Sequence, residues 1–142
     1  MEAILILQPV FVVALLTLVM TIWMFVTRVP AMYRLKIHPQ KGQDTNHLRE
    51  LLPKEVSRIS NNYNHLFEQP TLFYAVAISI ALLGHVDQVH ITCAWVYAFL
   101  RILHSLIQAT IDRVMIRFYI FILSWIVLAV MLVRESLLVF GF

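Results

Sequence analysis

Charge is what this chain has least of. Only 13% of its 142 residues are Asp, Glu, Lys or Arg, and 61% are hydrophobic; a soluble domain carries about 25% charged and 45–50% apolar residues. A water-soluble globule of this size is excluded. Three glycines and five prolines are too few for a turn-rich β fold or a disordered chain. A transmembrane β-barrel would show short alternating segments, whereas here the apolar runs are long and unbroken. The single cysteine, Cys93, excludes a disulfide within the chain and any zinc site built on several thiolates. It lies in an apolar run and reads as an inert helix residue, because a reactive thiol needs an electropositive, partly exposed setting. A helical membrane protein is the class that remains.

No charged residue falls between Ala3 and Thr27. A hydrocarbon core of roughly 30 Å needs about 20 helical residues, so a first span is expected over 3–33, with Pro9 near its first turn. It does not read as a secretory signal, having no basic n-region, too long an apolar run and no small-residue cleavage site. Residues 34–60 form the one long polar stretch. Within it Leu48, Leu51, Leu52, Val56 and Ile59 recur at helical spacing, and Pro53 suits a first turn. This predicts one helix over 53–84 that starts outside the lipid and runs unbroken into the membrane. Pro70 would then lie inside it, freeing the Leu66 carbonyl beside Glu68; a loop with a separate interfacial helix is the alternative. Third and fourth spans are expected over 89–111 and 114–140, with Arg134 and Glu135 snorkelling or pairing at the interface. His38, His47, His85 and His90 read as exposed or interfacial, and Trp23, Trp95, Tyr97 and Trp125 as packing or interfacial residues. The expected architecture is all-α: one domain, 1–142, as a four-helix transmembrane bundle.

Basic residues sort by side. Arg28, Arg34, Lys36, Lys41, Arg49, Lys54 and Arg58 crowd the first link, and Arg113 and Arg117 the third, while the N-terminus and the turn 84–90 have none. The positive-inside rule puts both links in the cytoplasm and both termini on the other side. That asymmetry accounts for the net charge of +3 without a nucleic-acid partner. Four thin spans cannot hide every polar group from lipid, which points to an oligomer with polar faces meeting between subunits.

The polar groups themselves concentrate in two places. Asn61-Asn62-Tyr63-Asn64-His65-Leu66-Phe67-Glu68-Gln69-Pro70 stands at the mouth of an apolar segment, and Arg101, His104, Gln108 and Asp112 follow one helical face of the third span. Ionisable groups inside a membrane helix mark functional sites and need partners. Counted by depth, Glu68 lies near the level of His104, within reach of Arg101, with Arg113 and Arg117 at the rim; Glu68 and these basic residues are expected to share one site. A Glu68–Arg101 ion pair that only locks helices is the plainer reading, and for Asn62, Asn64 and His65 it is interhelical hydrogen bonding. His65 and Glu68 alone do not make a metal site. Arginine forks bind carboxylates, Glu and Asn hold an ammonium, and a cation near a thiol favours the thiolate. The set therefore suits a zwitterionic, anionic ligand, with an apolar second substrate entering from the bilayer.

Asn-His-Leu-Phe-Glu-Gln-Pro-Thr-Leu-Phe-Tyr at 64–74, and Arg-Ile-Leu-His-Ser at 101–105 followed by Arg113 and Arg117-Phe118, resemble the MAPEG family, the membrane-associated proteins in eicosanoid and glutathione metabolism, in its bacterial-type members. The resemblance covers nearly the whole chain. It implies a homotrimer in a bacterial inner membrane, with glutathione as co-substrate bound between subunits near the cytoplasmic side. It also implies a glutathione transferase or peroxidase acting on a lipophilic electrophile. Glu68 matches the family's helix-two glutamate. Arg101, His104 and Arg117 match residues that bind or activate glutathione in some members, and Arg28 stands where the first helix often supplies a basic residue. His65 occupies a position where the family often has asparagine, and Gln108 one where it has tyrosine; Arg58 is the nearest substitute for the motif's arginine. The glutathione-binding candidates are thus Glu68, Asn62, Asn64, His65, Arg101, His104, Arg28 and Arg58, with Arg117 or Arg113 as the thiolate-stabilising, catalytic group. A non-catalytic trimer that binds lipid or organises membrane partners is the alternative.

Overall fold

A computed structural model describes residues 2–142. Helix α1, Glu2–Arg34, carries Pro9 and Pro30 inside it. The helix agrees with the expected 3–33 to within a residue at each end, and Pro9 lies inside it, past the first turn. At 1.5 Å per residue its 33 residues reach about 50 Å, longer than the hydrocarbon core, so its basic end projects beyond the lipid. The link folds into a 3-10 turn, Pro39–Gln43, and a short helix α2, Thr45–Leu51. Asp44 caps α2, accepting from the amides of Asn46 at 2.9 Å and His47 at 3.3 Å.

The expected unbroken second helix is two helices, α3 (Lys54–His65) and α4 (Gln69–Leu83). Proline explains the division. Within one continuous helix the Pro70 ring would crowd the Leu66 carbonyl and leave it without a donor. The chain instead leaves helical geometry over 66–68 and restarts at Gln69, so Pro70 falls in the first turn of α4, where no N–H is needed. Helices α5 (Gln88–Thr110) and α6 (Val114–Phe140) complete the bundle. Four stretches are long and apolar enough to cross a membrane: Ala3–Arg34, Lys54–Leu83, Gln88–Thr110 and Val114–Phe140.

Lipid is as apolar as leucine, so close packing rather than expulsion from water joins such helices. One cluster combines Ile6, Val13, Phe73, Ala77, Ile80, Ala94, Tyr97, Leu128 and Met131 from α1, α4, α5 and α6. Its small residues, Ala77, Ala94 and Ala98, are buried and let the backbones approach. Phe73 stacks on Tyr97 with ring centres 4.2 Å apart. A second cluster of Met20, Met24, Ile59, Leu66 and Ala109 joins α1 to α3 and the end of α5. The outward face stays apolar, with Phe11, Leu15, Ile22, Val26, Leu123, Ile126 and Val133 exposed. This is the surface an integral membrane protein gives to lipid.

At the end opposite the basic link, Gly84 caps α4 in the left-handed region, at φ 74°. Asp87 then caps α5, accepting the His90 amide at 2.8 Å and the Arg134 guanidinium. His85 and Glu135 lie 2.9 Å apart. His90, expected to be exposed or interfacial, is fully buried, with Nδ1 3.0 Å from the His85 carbonyl; an apolar helix face accepts it because the tight turn supplies a backbone partner. Burial raises the Asp87 carboxyl, but the His90 amide and the His90 and Arg134 charges outweigh it, and the group titrates below its ordinary value. A depressed carboxyl contributes stability above its unfolded-state value and loses it as pH falls through the folded one. Thermal unfolding in detergent should therefore show destabilisation beginning below about pH 4, and Asp87→Asn should lose less over that range. An unchanged acid profile in the variant would contradict this role.

Candidate functional site

The break between α3 and α4 puts Glu68 outside any helix. Its backbone carbonyl accepts the Thr71 hydroxyl at 2.6 Å, and its carboxylate lies 3.0 Å from His65 Nδ1. The Glu68 side chain is 63% exposed and that of His65 40%. Both therefore stand at the edge of the bundle rather than inside it.

Arg101 is the opposite case. It is 1% exposed, and the rest of its stripe, His104, Ser105 and Gln108, is buried with it. The expected Arg101–Glu68 contact is not what forms. Arg101 donates to the Gln69 side-chain oxygen at 3.3 Å and to the His65 carbonyl at 3.4 Å. The physical reason is the break itself. The break ends α3 beside the buried guanidinium, which reaches the His65 carbonyl, also the acceptor of the Glu68 amide at 3.3 Å, while the Glu68 carboxylate turns outward to His65. Gln69 is thus a site residue that the sequence reading passed over. Its only signal was its place between Glu68 and Pro70 on a helix facing Arg101.

His104 brings its ring within 6.2 Å of the His65 ring, edge on. Among the described residues, His104 Nδ1 and both amide atoms of Asn62 are buried without a hydrogen-bond partner. Such orphaned polar atoms are costly, and water or a ligand normally satisfies them. At the rim, Asp112 takes φ 51°, a left-handed conformation that Asp tolerates, and its carboxylate accepts Arg117. Arg113 is the exposed N-cap residue of α6. Lying just before the helix, it does not join Arg117 in the cleft.

That cleft, of about 190 Å³, is lined by His65, His104, Val114, Arg117, Phe118 and Phe121. Helix α6 lines it with the Arg117 guanidinium beside Val114, Phe118 and Phe121, and α3 and α5 bring the His65 and His104 imidazoles, with the Glu68 carboxylate on His65. Such a cleft can hold a polar anion against an apolar molecule. The remaining candidates lie elsewhere. Arg58 donates to the Ala109 carbonyl at 3.0 Å, a cation at the C-terminal end of α5, where the helix dipole favours it. Arg28 and Asn64 line a different pocket, toward α2.

Among known proteins, the model of the MAPEG family matches residues 6–135. No curated protein matches the chain, and no solved structure does.

Proposed function

The chain belongs to the MAPEG family, and from that premise we propose that it is a membrane enzyme joining glutathione to a lipophilic electrophile. The observation that carries this reading is the cleft that Arg117, Val114, Phe118 and Phe121 of α6 share with His65 and His104. Arg117 stands where a ligand thiol would be held as thiolate, since a neighbouring cation lowers a thiol's pKa. Glu68 is the acceptor for the ammonium of glutathione, and the orphaned His104 Nδ1 is a further partner. Arg101 and Asn62 are positioning groups behind them. The apolar lining residues of α6 admit a substrate from the bilayer.

In the reaction the thiolate sulfur forms a bond to the electrophilic carbon, the leaving group departs as an anion, and the thiol proton goes to water at the cleft mouth. With a hydroperoxide, sulfur attacks the terminal oxygen, alcohol leaves, and a second glutathione converts the sulfenic acid to the disulfide and water.

The assembly follows from exposure. Glu68 and His65 are polar and uncovered within the Lys54–Leu83 stretch that is long and apolar enough to cross a membrane, and such groups face protein rather than hydrocarbon. A neighbouring copy is the natural cover, in a homotrimer whose subunits are each one domain. The basic links lie on the cytoplasmic side, and both termini lie across a bacterial inner membrane. Detergent-solubilised protein given glutathione and chlorodinitrobenzene should form thioether faster than the uncatalysed mixture. No acceleration with this or a hydroperoxide would count against the enzyme reading and leave a lipid-binding assembly.

A further inference from the structure

Helix α3 has two polar faces. Arg58, Asn62 and His65 recur on one, with Arg58 bonded to the end of α5 and His65 beside His104. Ser57, Ser60, Asn61 and Asn64, at i, i+3, i+4 and i+7, form another. They line a pocket of about 170 Å³ between α1, α2 and α3, and Arg28 from α1 and Arg49 from α2 line it with them. Met24, Leu48, Leu52 and Tyr63 make its apolar part.

Three observations single out this pocket. No Asp or Glu is among its lining residues, although two guanidinium-bearing side chains are. Among the described residues neither Arg28 nor Arg49 makes an ion pair, whereas Arg58, one turn from Asn61 and Asn62 on the same helix, is bonded to the Ala109 carbonyl and Arg117 is paired with Asp112. The Ser60 hydroxyl, on the same wall, is buried without a partner. Two like charges around one small hollow repel each other unless an anion lies between them. The backbone here is fixed independently of any ligand: the Ser57 hydroxyl holds the Arg49 carbonyl at 3.1 Å, and buried Leu48 seats α2.

We propose that this pocket binds a phosphate group at the membrane surface, gripped by the Arg28 and Arg49 forks and by the Ser60 and Asn61 side chains. Guanidinium forks match phosphate oxygens with paired hydrogen bonds, and serine and asparagine add neutral donors. The pocket lies where the first span meets the basic link. A phosphate there comes either from an anionic phospholipid, with its chains along the apolar outer face, or from a soluble phosphate ester. The site shares no lining residue with the Arg117 cleft, so it stands or falls separately from the glutathione reading.

The test uses Arg49→Gln, whose side chain is exposed, with Arg49→Lys and Ser60→Ala beside it. The protein is equilibrated in nanodiscs of phosphatidylcholine with phosphatidylglycerol, released, and weighed by native mass spectrometry; in parallel it is titrated in detergent with inorganic phosphate, following thermal unfolding. Wild type should retain phosphatidylglycerol over phosphatidylcholine, and Arg49→Gln should lose that preference about tenfold, the worth of one charge-assisted hydrogen bond. Arg49→Lys should fall between them. Stabilisation by inorganic phosphate that depends on Arg49 and Ser60, without lipid preference, assigns the site to a soluble phosphate ester. The proposal is overturned if neither probe separates wild type from Arg49→Gln and Ser60→Ala. Glutathione binding at the Arg117 cleft should be unchanged in Arg49→Gln throughout.

Discussion

Arg117→Ala is expected to lower kcat/KM for glutathione conjugation by about 10²–10³-fold, the usual cost of removing one preorganised charge from a developing anion. Helix content and assembly should not change, because among the described residues the one side-chain polar partner of Arg117 is Asp112 at the rim of the bundle, and a partly exposed pair of this kind contributes little to stability. Arg113→Ala, at an exposed N-cap outside the cleft, should have a much smaller effect. The two variants together separate a positioned cation from generally positive surroundings. Initial rates measured over a range of glutathione concentrations, giving kcat and KM separately, check this. Equal losses in both variants would remove the thiolate role from Arg117.

The second large effect concerns stability. Gln69→Leu should destabilise the bundle by about 2–4 kcal/mol, because it leaves the buried Arg101 guanidinium without its one side-chain acceptor. Restoring consistency should rescue it. The double variant Gln69→Leu with Arg101→Met removes both the acceptor and the charge and should be more stable than Gln69→Leu alone, since apolar replacement of a buried polar pair is often neutral or better. Denaturation by sodium dodecyl sulfate, followed by circular dichroism, gives the comparison. Additive losses in the double variant would mean that Arg101 and Gln69 are not coupled as their 3.3 Å contact implies.

The helical membrane class and its four spans were legible because lipid leaves the backbone few choices. A spanning segment must satisfy its own polar groups, so it is helical and almost wholly apolar, and hydropathy reads it. The break at 66–68 was less legible. Pro70 is compatible with a kinked interior or with a first turn, and the contact that accompanies the break, Arg101 to Gln69, joins residues 32 positions apart. Depth along a helix likewise fixed the level of Glu68 but not its direction, so the expected contact with Arg101 gave way to His65. Arg28 and Asn64, glutathione candidates by resemblance, lie on the α2 side of α3, and only the fold of the link reveals Arg49 beside them. Short polar helices such as α2 carry little periodicity, so their docking is a tertiary fact.

The central claim, that the Arg117 cleft holds glutathione as its thiolate, is tested most directly by titrating the purified protein with glutathione and recording thiolate absorbance by difference. Wild type should show a saturable signal at millimolar glutathione or below, appearing under conditions where free glutathione stays a thiol, and Arg117→Ala should lose the signal while remaining folded. A flat difference spectrum for the wild type, or an undiminished signal in Arg117→Ala, would contradict the account.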